Sequence, residues 1–206
     1  IGPPSFGGGM TKFQMVQGGR KGPRKSFCIW FVAMNLYNLY SLFGDLKDEK
    51  LTSQLSSLLS QQSHIIILGN GGSNSIASHI AQDYTKVLNK RALSFSDPSR
   101  LTCYINDYGQ ENAYAEFLKS FSEREGLITG RSLVILISSS GESLNIINSL
   151  KYCQEKKLPH IVLTGFKKDN TLREQSRSTA QLDYWVDSCD YGIVECLHQI
   201  FLHSAI

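Results

Sequence analysis

The sequence predicts an α/β fold, a parallel sheet covered on both faces by helices. Short apolar runs at residues 65–68, 133–137 and 160–163 read as strands buried on both sides. Each is followed by helical periodicity, not by a second strand across a tight turn, and strands that alternate with helices pair in parallel. A third observation bears on function. Two of these strands run into glycine- and serine-rich loops that open a helix, where bare amides and the positive end of the dipole favour an anion.

The 206 residues are 41% hydrophobic and 10% aromatic, enough for one domain with a real core. Net charge is +3 with a pI near 8.6, and Lys and Arg form no dense stripe beyond the N-terminus. Nucleic acid is therefore not an expected partner. The five cysteines are scattered and none forms a CxxC pair, which predicts free thiols in a reducing, cytoplasmic compartment.

Residues 1–26 are rich in Gly, Pro, Lys and Arg without apolar period, and read as a disordered extension or tag. Residues 27–206 form the domain. The basic cluster before residues 27–34 resembles a signal peptide, but the apolar run is short and no small-residue cleavage site follows. It is also too short to span a membrane, so no membrane partner is expected. Residues 27–43 read instead as a helix with Trp30, Phe31, Met34, Tyr37 and Tyr40 in excess of what one core absorbs, a subunit interface. Residues 45–60 are a second helix.

After the strand at 65–68, Ser73 is the expected N-cap of a helix over 74–88. Residues 91–95 are a short strand and Ser96-Asp97-Pro98 a break. Residues 101–105 fit either strand or helix, and 106–109 have turn chemistry. Helices are expected at 113–121, 144–156, 171–177 and 191–203, and a last strand at 184–186.

Gly69-Asn70-Gly71-Gly72 lacks the third glycine of a dinucleotide fingerprint, since Asn74 stands there, and lacks the Gly-Lys-Ser/Thr of a P-loop. Ser138, Ser139, Ser140 and Ser143 surround Gly141 at a strand-to-helix turn. Four hydroxyls exceed what capping needs and predict a phosphate monoester, with Glu142 turned away from it. His79 and Asp83 lie one turn apart on one helix face. The last helix adds Glu195, His198 and His203 in a chain with only five histidines, and together these suggest a metal or acid–base site.

The segments GNGGSNSIASHIAQDY, SDPS, YINDYGQENAYAEFL, ISSSGESLNII, VLTG and ECLHQIFLH resemble, in order and spacing, the sugar isomerase (SIS) domain, and within it the sedoheptulose 7-phosphate (phosphoheptose) isomerases. The resemblance covers roughly residues 35–203. It implies a three-layer sandwich with a five-stranded parallel sheet and N-terminal helices in an oligomer interface. It implies a homotetramer with active sites shared between subunits, and one zinc ion per subunit. The activity implied is conversion of sedoheptulose 7-phosphate to D-glycero-D-manno-heptose 7-phosphate through an enediol, for surface polysaccharide such as lipopolysaccharide.

By position, the resemblance makes His79, Asp83, Glu195 and His203 the metal ligands, with Asp83 the proton-transfer base and His203 its acid–base partner. Asn70, Gly71, Gly72 and Ser73 become a substrate loop, Asp97 a substrate-binding acid, and Ser138, Ser139, Ser140 and Ser143 the phosphate loop. Four positions depart from the family pattern. Asp83 replaces a glutamate, Glu195 a glutamine, Val87 an arginine and Gly192 an aspartate. Glu195 and His203 are also ~12 Å apart along an ideal helix, so sharing one ion requires extended side chains or a break in the helix; otherwise one of them serves a neighbouring subunit's site. The alternatives are a non-catalytic SIS regulator or replication-initiator adaptor, and an isomerase of another sugar phosphate.

Overall fold

The computed structural model describes residues 49–124 and 131–206. The extension at 1–26, the interface helix at 27–43 and the start of the helix at 45–60 lie outside the described residues. The elements, in order, are α1 (Glu49–Gln61), β1 (His64–Leu68), α2 (Gly72–Lys86), β2 (Arg91–Ser94), α3 (Pro98–Tyr108) and α4 (Ala113–Arg124). Then follow β3 (Ser132–Ser138), α5 (Leu144–Glu155), β4 (His160–Thr164), α6 (Thr171–Ser176), β5 (Leu182–Trp185) and α7 (Tyr191–His203).

All five strands are parallel, in the order β2-β1-β3-β4-β5, with Ile66 beside Val134 and Ser138 beside Thr164. The sequence reason is visible strand by strand. Every residue of β3 and β4 is buried, as their unbroken apolar runs require, whereas the edge strands β2 and β5 alternate. Side chains of β1 divide by parity. Ile65 and Ile67 join Leu55, Leu59, Ile80, Tyr84, Leu197 and Phe201 on one face, and Ile66 and Leu68 join Phe95, Phe117, Leu118, Ile146 and Leu150 on the other. The layers are thus α1, α2 and α7, then the sheet, then α4 and α5.

Two local expectations are corrected. Residues 101–105, left between strand and helix, are helical, and Asn106 to Tyr108 continue that helix instead of forming a turn. The deciding signals stand at its ends: Asp97 Oδ1 accepts from the Arg100 amide at 2.8 Å, Pro98 occupies the first turn, and Gly109 closes the end. Ser73 is not an N-cap. Gly71, at φ +53°, turns the chain into α2 two residues sooner, and Ser73 lies buried inside the first turn. The amino end of α2 is therefore left without a side-chain cap.

Among the described residues no helix is long and apolar enough to cross a membrane. Cys103, Cys153, Cys189 and Cys196 are free thiols.

Candidate active site

The strand order reverses between β1 and β3: the chain leaves β1 towards β2 on one side, and β3 towards β4 and β5 on the other. Loops at the carboxyl ends of two such strands diverge and leave a crevice. Here those loops are residues 69–71 and 139–143, the two anion-capable segments of the sequence. The first is held from below by Tyr114, whose phenol donates to the Gly69 carbonyl at 2.7 Å, and burial pushes that phenol up to about 12. The first loop is joined across the crevice to the first turn of α5 by Asn70 and Asn145. Each amide nitrogen donates to the other's oxygen, at 2.9 and 2.8 Å.

A cavity of about 250 Å³ lies between the loops, bordered by Gly71, Gly72, Ser73, Ser138, Ser139, Ser140 and Ser143. The serine loop is built for a ligand. Gly141 takes φ +69°, and a Cβ there would collide with the Asn170 side chain. Its amide donates to Ser138 Oγ at 3.2 Å, and Ser138 donates to Ser143 Oγ at 3.2 Å. The Ser139 hydroxyl is buried and has no hydrogen-bond partner, and Ser143 begins α5 without capping it. A buried hydroxyl left unpaired costs free energy unless something else fills the position. Glu142 turns away, as expected: its carboxylate accepts from the Thr171 amide at 3.0 Å and the Thr171 hydroxyl at 2.6 Å.

Two turns along α2 lies the other half of the site. His79 Nε2 is 3.4 Å from Asp83 Oδ2, and His203 Nε2 is 3.8 Å from the same oxygen. The two imidazole rings meet edge to face with centroids 5.1 Å apart. One ligand atom from each of the three side chains falls within 4.8 Å of the others, so the trio can close on a single cation. Two imidazoles and one carboxyl group fit a small divalent ion: ligand atoms at ~2 Å from a tetrahedral centre lie a little over 3 Å apart. His79 lines a groove that also runs along Gly72 and Glu195, two residues that border the serine cavity as well.

The structure thus brings together His79, Asp83 and His203, and separately gathers Asn70, Gly71, Gly72, Ser73 and the four serines. Glu195 lies outside the trio. Its carboxylate rests against Gly72, at the uncapped end of α2, so that a Cβ on Gly72 would collide with it. Burial pushes its carboxyl up. Asp97 is committed through Oδ1 to capping α3. His198 is fully buried, with Nε2 3.0 Å from the Thr164 carbonyl, and serves packing. Sequence reasoning missed Asn145 and Tyr84. For Asn145 the only available signal was an asparagine set among the apolar residues of α5. Tyr84 has the sequence surroundings of any core aromatic.

No family model matches the chain. The structure superposes on a phosphoheptose isomerase from Neisseria gonorrhoeae with a TM-score of 0.71 over 82% of this chain and 91% of that one, at 24% identity. At that identity the likeness shows the fold alone, a parallel α/β sheet flanked by helices. The sequence relatives narrow this. A phosphoheptose isomerase of Sodalis glossinidius is 33% identical over 145 residues, 68% of each chain. One from Fusobacterium nucleatum is 28% identical over 163 residues, 77% of this chain and 78% of the relative. A match to one from Cytophaga hutchinsonii, 31% identical, spans 60% of that relative's length. The chain belongs to the phosphoheptose isomerase family.

Proposed function

We propose that this protein is a cytoplasmic aldose–ketose isomerase that converts sedoheptulose 7-phosphate to D-glycero-D-manno-heptose 7-phosphate, a heptose for surface polysaccharide. The observation that carries this reading is a hydroxyl-lined anion cavity that shares Gly72 and Glu195 with a groove reaching His79, a member of the His79–Asp83–His203 trio. From Gly72 to His79 the axis of α2 rises ~10 Å. That separation suits a long, open-chain sugar whose phosphate is remote from its carbonyl.

Ser138, Ser139, Ser140 and Ser143 hold the phosphate, with the Ser139 hydroxyl supplying the unmet donor. Asn70 and Ser73 border the sugar chain. Asp97 spends Oδ1 on its helix cap, which leaves Oδ2 for a substrate hydroxyl. Binding energy gathered at the phosphate fixes C1 and C2 at the trio. Asp83 takes the proton from C1, the C1–H pair becomes the C1–C2 double bond, and the enediol forms as His203 gives a proton to the C2 oxygen. His203 then accepts the C1 hydroxyl proton, and Asp83 returns its proton to C2.

The ion we propose for the trio is zinc, one per subunit. His79, Asp83 and His203 would hold it and leave a fourth position for substrate. When bound, it supplies Lewis-acid polarisation of the carbonyl. The protein would act as a homotetramer, which accounts for a working trio whose His79 side chain is 51% exposed and for the exposed apolar residues Leu144 and Tyr191.

The test is incubation of the zinc-loaded protein with sedoheptulose 7-phosphate, with the aldose product read by NMR and metal content by mass spectrometry. Absence of turnover on this and on a panel of other ketose phosphates would end the enzymatic reading.

A further inference from the structure

The hydrogen-bonded ring of Asn70 and Asn145 has a fixed polarity. Asn145 lies in the first turn of α5 and is 6% exposed. Its Oδ1 accepts from Asn70 Nδ2 at 2.9 Å. The same oxygen lies 3.0 Å from the Ile146 amide nitrogen, which shares its hydrogen with the Ser143 carbonyl, also at 3.0 Å. A backbone N–H can only donate. Were the Asn145 carboxamide turned over, its NH2 group would face that N–H, donor against donor, in a buried place where an unmatched polar group is costly. The Ile146 amide thus decides which way Asn145 stands, and Asn145 decides the same for Asn70. Asn70 Nδ2 has to face Asn145 Oδ1, and Asn70 Oδ1 has to face Asn145 Nδ2.

We infer that Asn145 is a positioning residue that locks the Asn70 carboxamide in one of its two orientations, so that Asn70 meets the sugar chain with one N–H and one lone pair in set places. The inference rests on the sugar-phosphate reading given above. The ring uses one hydrogen and one lone pair of the Asn70 side chain, which makes no further hydrogen bond among the described residues. One donor and one acceptor remain. Asn70 borders the serine cavity and also an adjoining cavity of about 360 Å³, walled by Asn145, Gln110 and Glu111. A hydroxyl both donates and accepts, so a freely turning amide would take neighbouring hydroxyls of a sugar in either order. The locked amide takes them in one order only. Asn145 acts here through Asn70, from inside the wall.

The experiment compares the metal-loaded parent with Asn145→Asp and Asn145→Ala. A carboxylate at this position keeps the acceptor but sets oxygen against Asn70 Oδ1. A protonated carboxyl restores a donor there in nearly the shape of the amide. Asn145→Asp should therefore lose at least about tenfold in kcat/KM for sedoheptulose 7-phosphate at about pH 8, the effect of one misdirected hydrogen bond. Taken as a ratio to the parent at each pH, the loss should shrink as pH falls through the pKa of the new carboxyl, which burial raises. Asn145→Ala should show a similar loss at every pH. Parental activity in Asn145→Asp overturns the proposal, and so does a loss that pH does not relieve, which would reduce Asn145 to packing. A second readout needs neither turnover nor a variant. NMR exchange of the Asn70 side-chain amide in the parent should show one slow and one fast proton, and two fast protons overturn the lock. A parent that turns over no ketose phosphate ends the sugar reading, and the exchange rates then decide the lock alone.

Discussion

Tyr84 donates its phenol hydrogen to the carbonyl of Leu202 at 2.8 Å, across 118 residues of sequence. The two residues adjoin Asp83 and His203, so one hydrogen bond clamps α2 to α7 at the point where the trio meets. The phenol is fully buried, and burial pushes its pKa well above the ordinary range. The Leu202 carbonyl, in the last turn of α7, has no helical donor of its own. Tyr84→Phe should therefore cost ~1–3 kcal/mol of stability, the range for a buried acceptor left unpaired. It should also weaken metal binding without removing a ligand. Urea unfolding and a zinc titration check both effects; unchanged zinc affinity would show that the clamp does not position the trio.

His79→Ala should lose bound metal and activity together, because it removes one of only two imidazoles. Asp83→Asn should abolish turnover while the ion stays, since an amide cannot accept the carbon-bound proton. Asp83→Glu, one methylene longer, should keep or raise turnover. Metal content measured beside kcat separates these outcomes, and an active Asp83→Asn variant would remove Asp83 from the proton-transfer step.

Replacing Ser138 and Ser143 together by alanine should weaken binding of sedoheptulose 7-phosphate by ~1–3 kcal/mol, as expected for hydrogen bonds to a charged group. The effect belongs in KM more than in kcat, because the phosphate is remote from the reacting carbons. If calorimetry finds the double variant binding as tightly as the parent, the serine loop serves another purpose.

His198 sets a dependence of stability on pH. Burial lowers its pKa from 6.5 to about 4, although the hydrogen bond with Thr164 opposes the shift. The unfolded chain binds this proton from pH 6.5 downwards and the folded chain does not. Stability is thus unaffected above pH 6.5 and falls progressively as pH drops towards 4, by up to about 3 kcal/mol. His160, whose pKa burial also lowers, acts in the same direction. Urea midpoints collected from pH 7 to pH 4 should decline, and His198→Gln should flatten part of the decline. An equally steep decline in that variant would assign it to other groups.

The central strands were legible because burial on both faces leaves an apolar run that no surface element imitates. Both loops of the crevice could be read from Gly69 to Ser73 and Ser138 to Ser143, since glycine and hydroxyl residues at a strand-to-helix turn have a physical meaning before any fold is known. His79 and Asp83 were paired by helical spacing alone. Their meeting with His203 was not legible from spacing, because it depends on how α2 and α7 cross, and the family resemblance supplied it. For Glu195 the resemblance assigns ion ligation, and the structure shows its side chain against Gly72. Residues 101–105 were ambiguous because five residues hold too little periodicity. Their helix was specified by Asp97 and Pro98 at one end and Gly109 at the other.

The paired amides of Asn70 and Asn145 have one more consequence. They span 75 residues of sequence and fix the gap between the two loops before any ligand arrives. An asparagine pair that satisfies itself in this way is a spacer of set length, and the conformational entropy of ordering the two loops is given up during folding and not at each encounter with substrate. The crevice is preorganised. Its mouth is already cut to one width, and a sugar chain that fits has only itself to order.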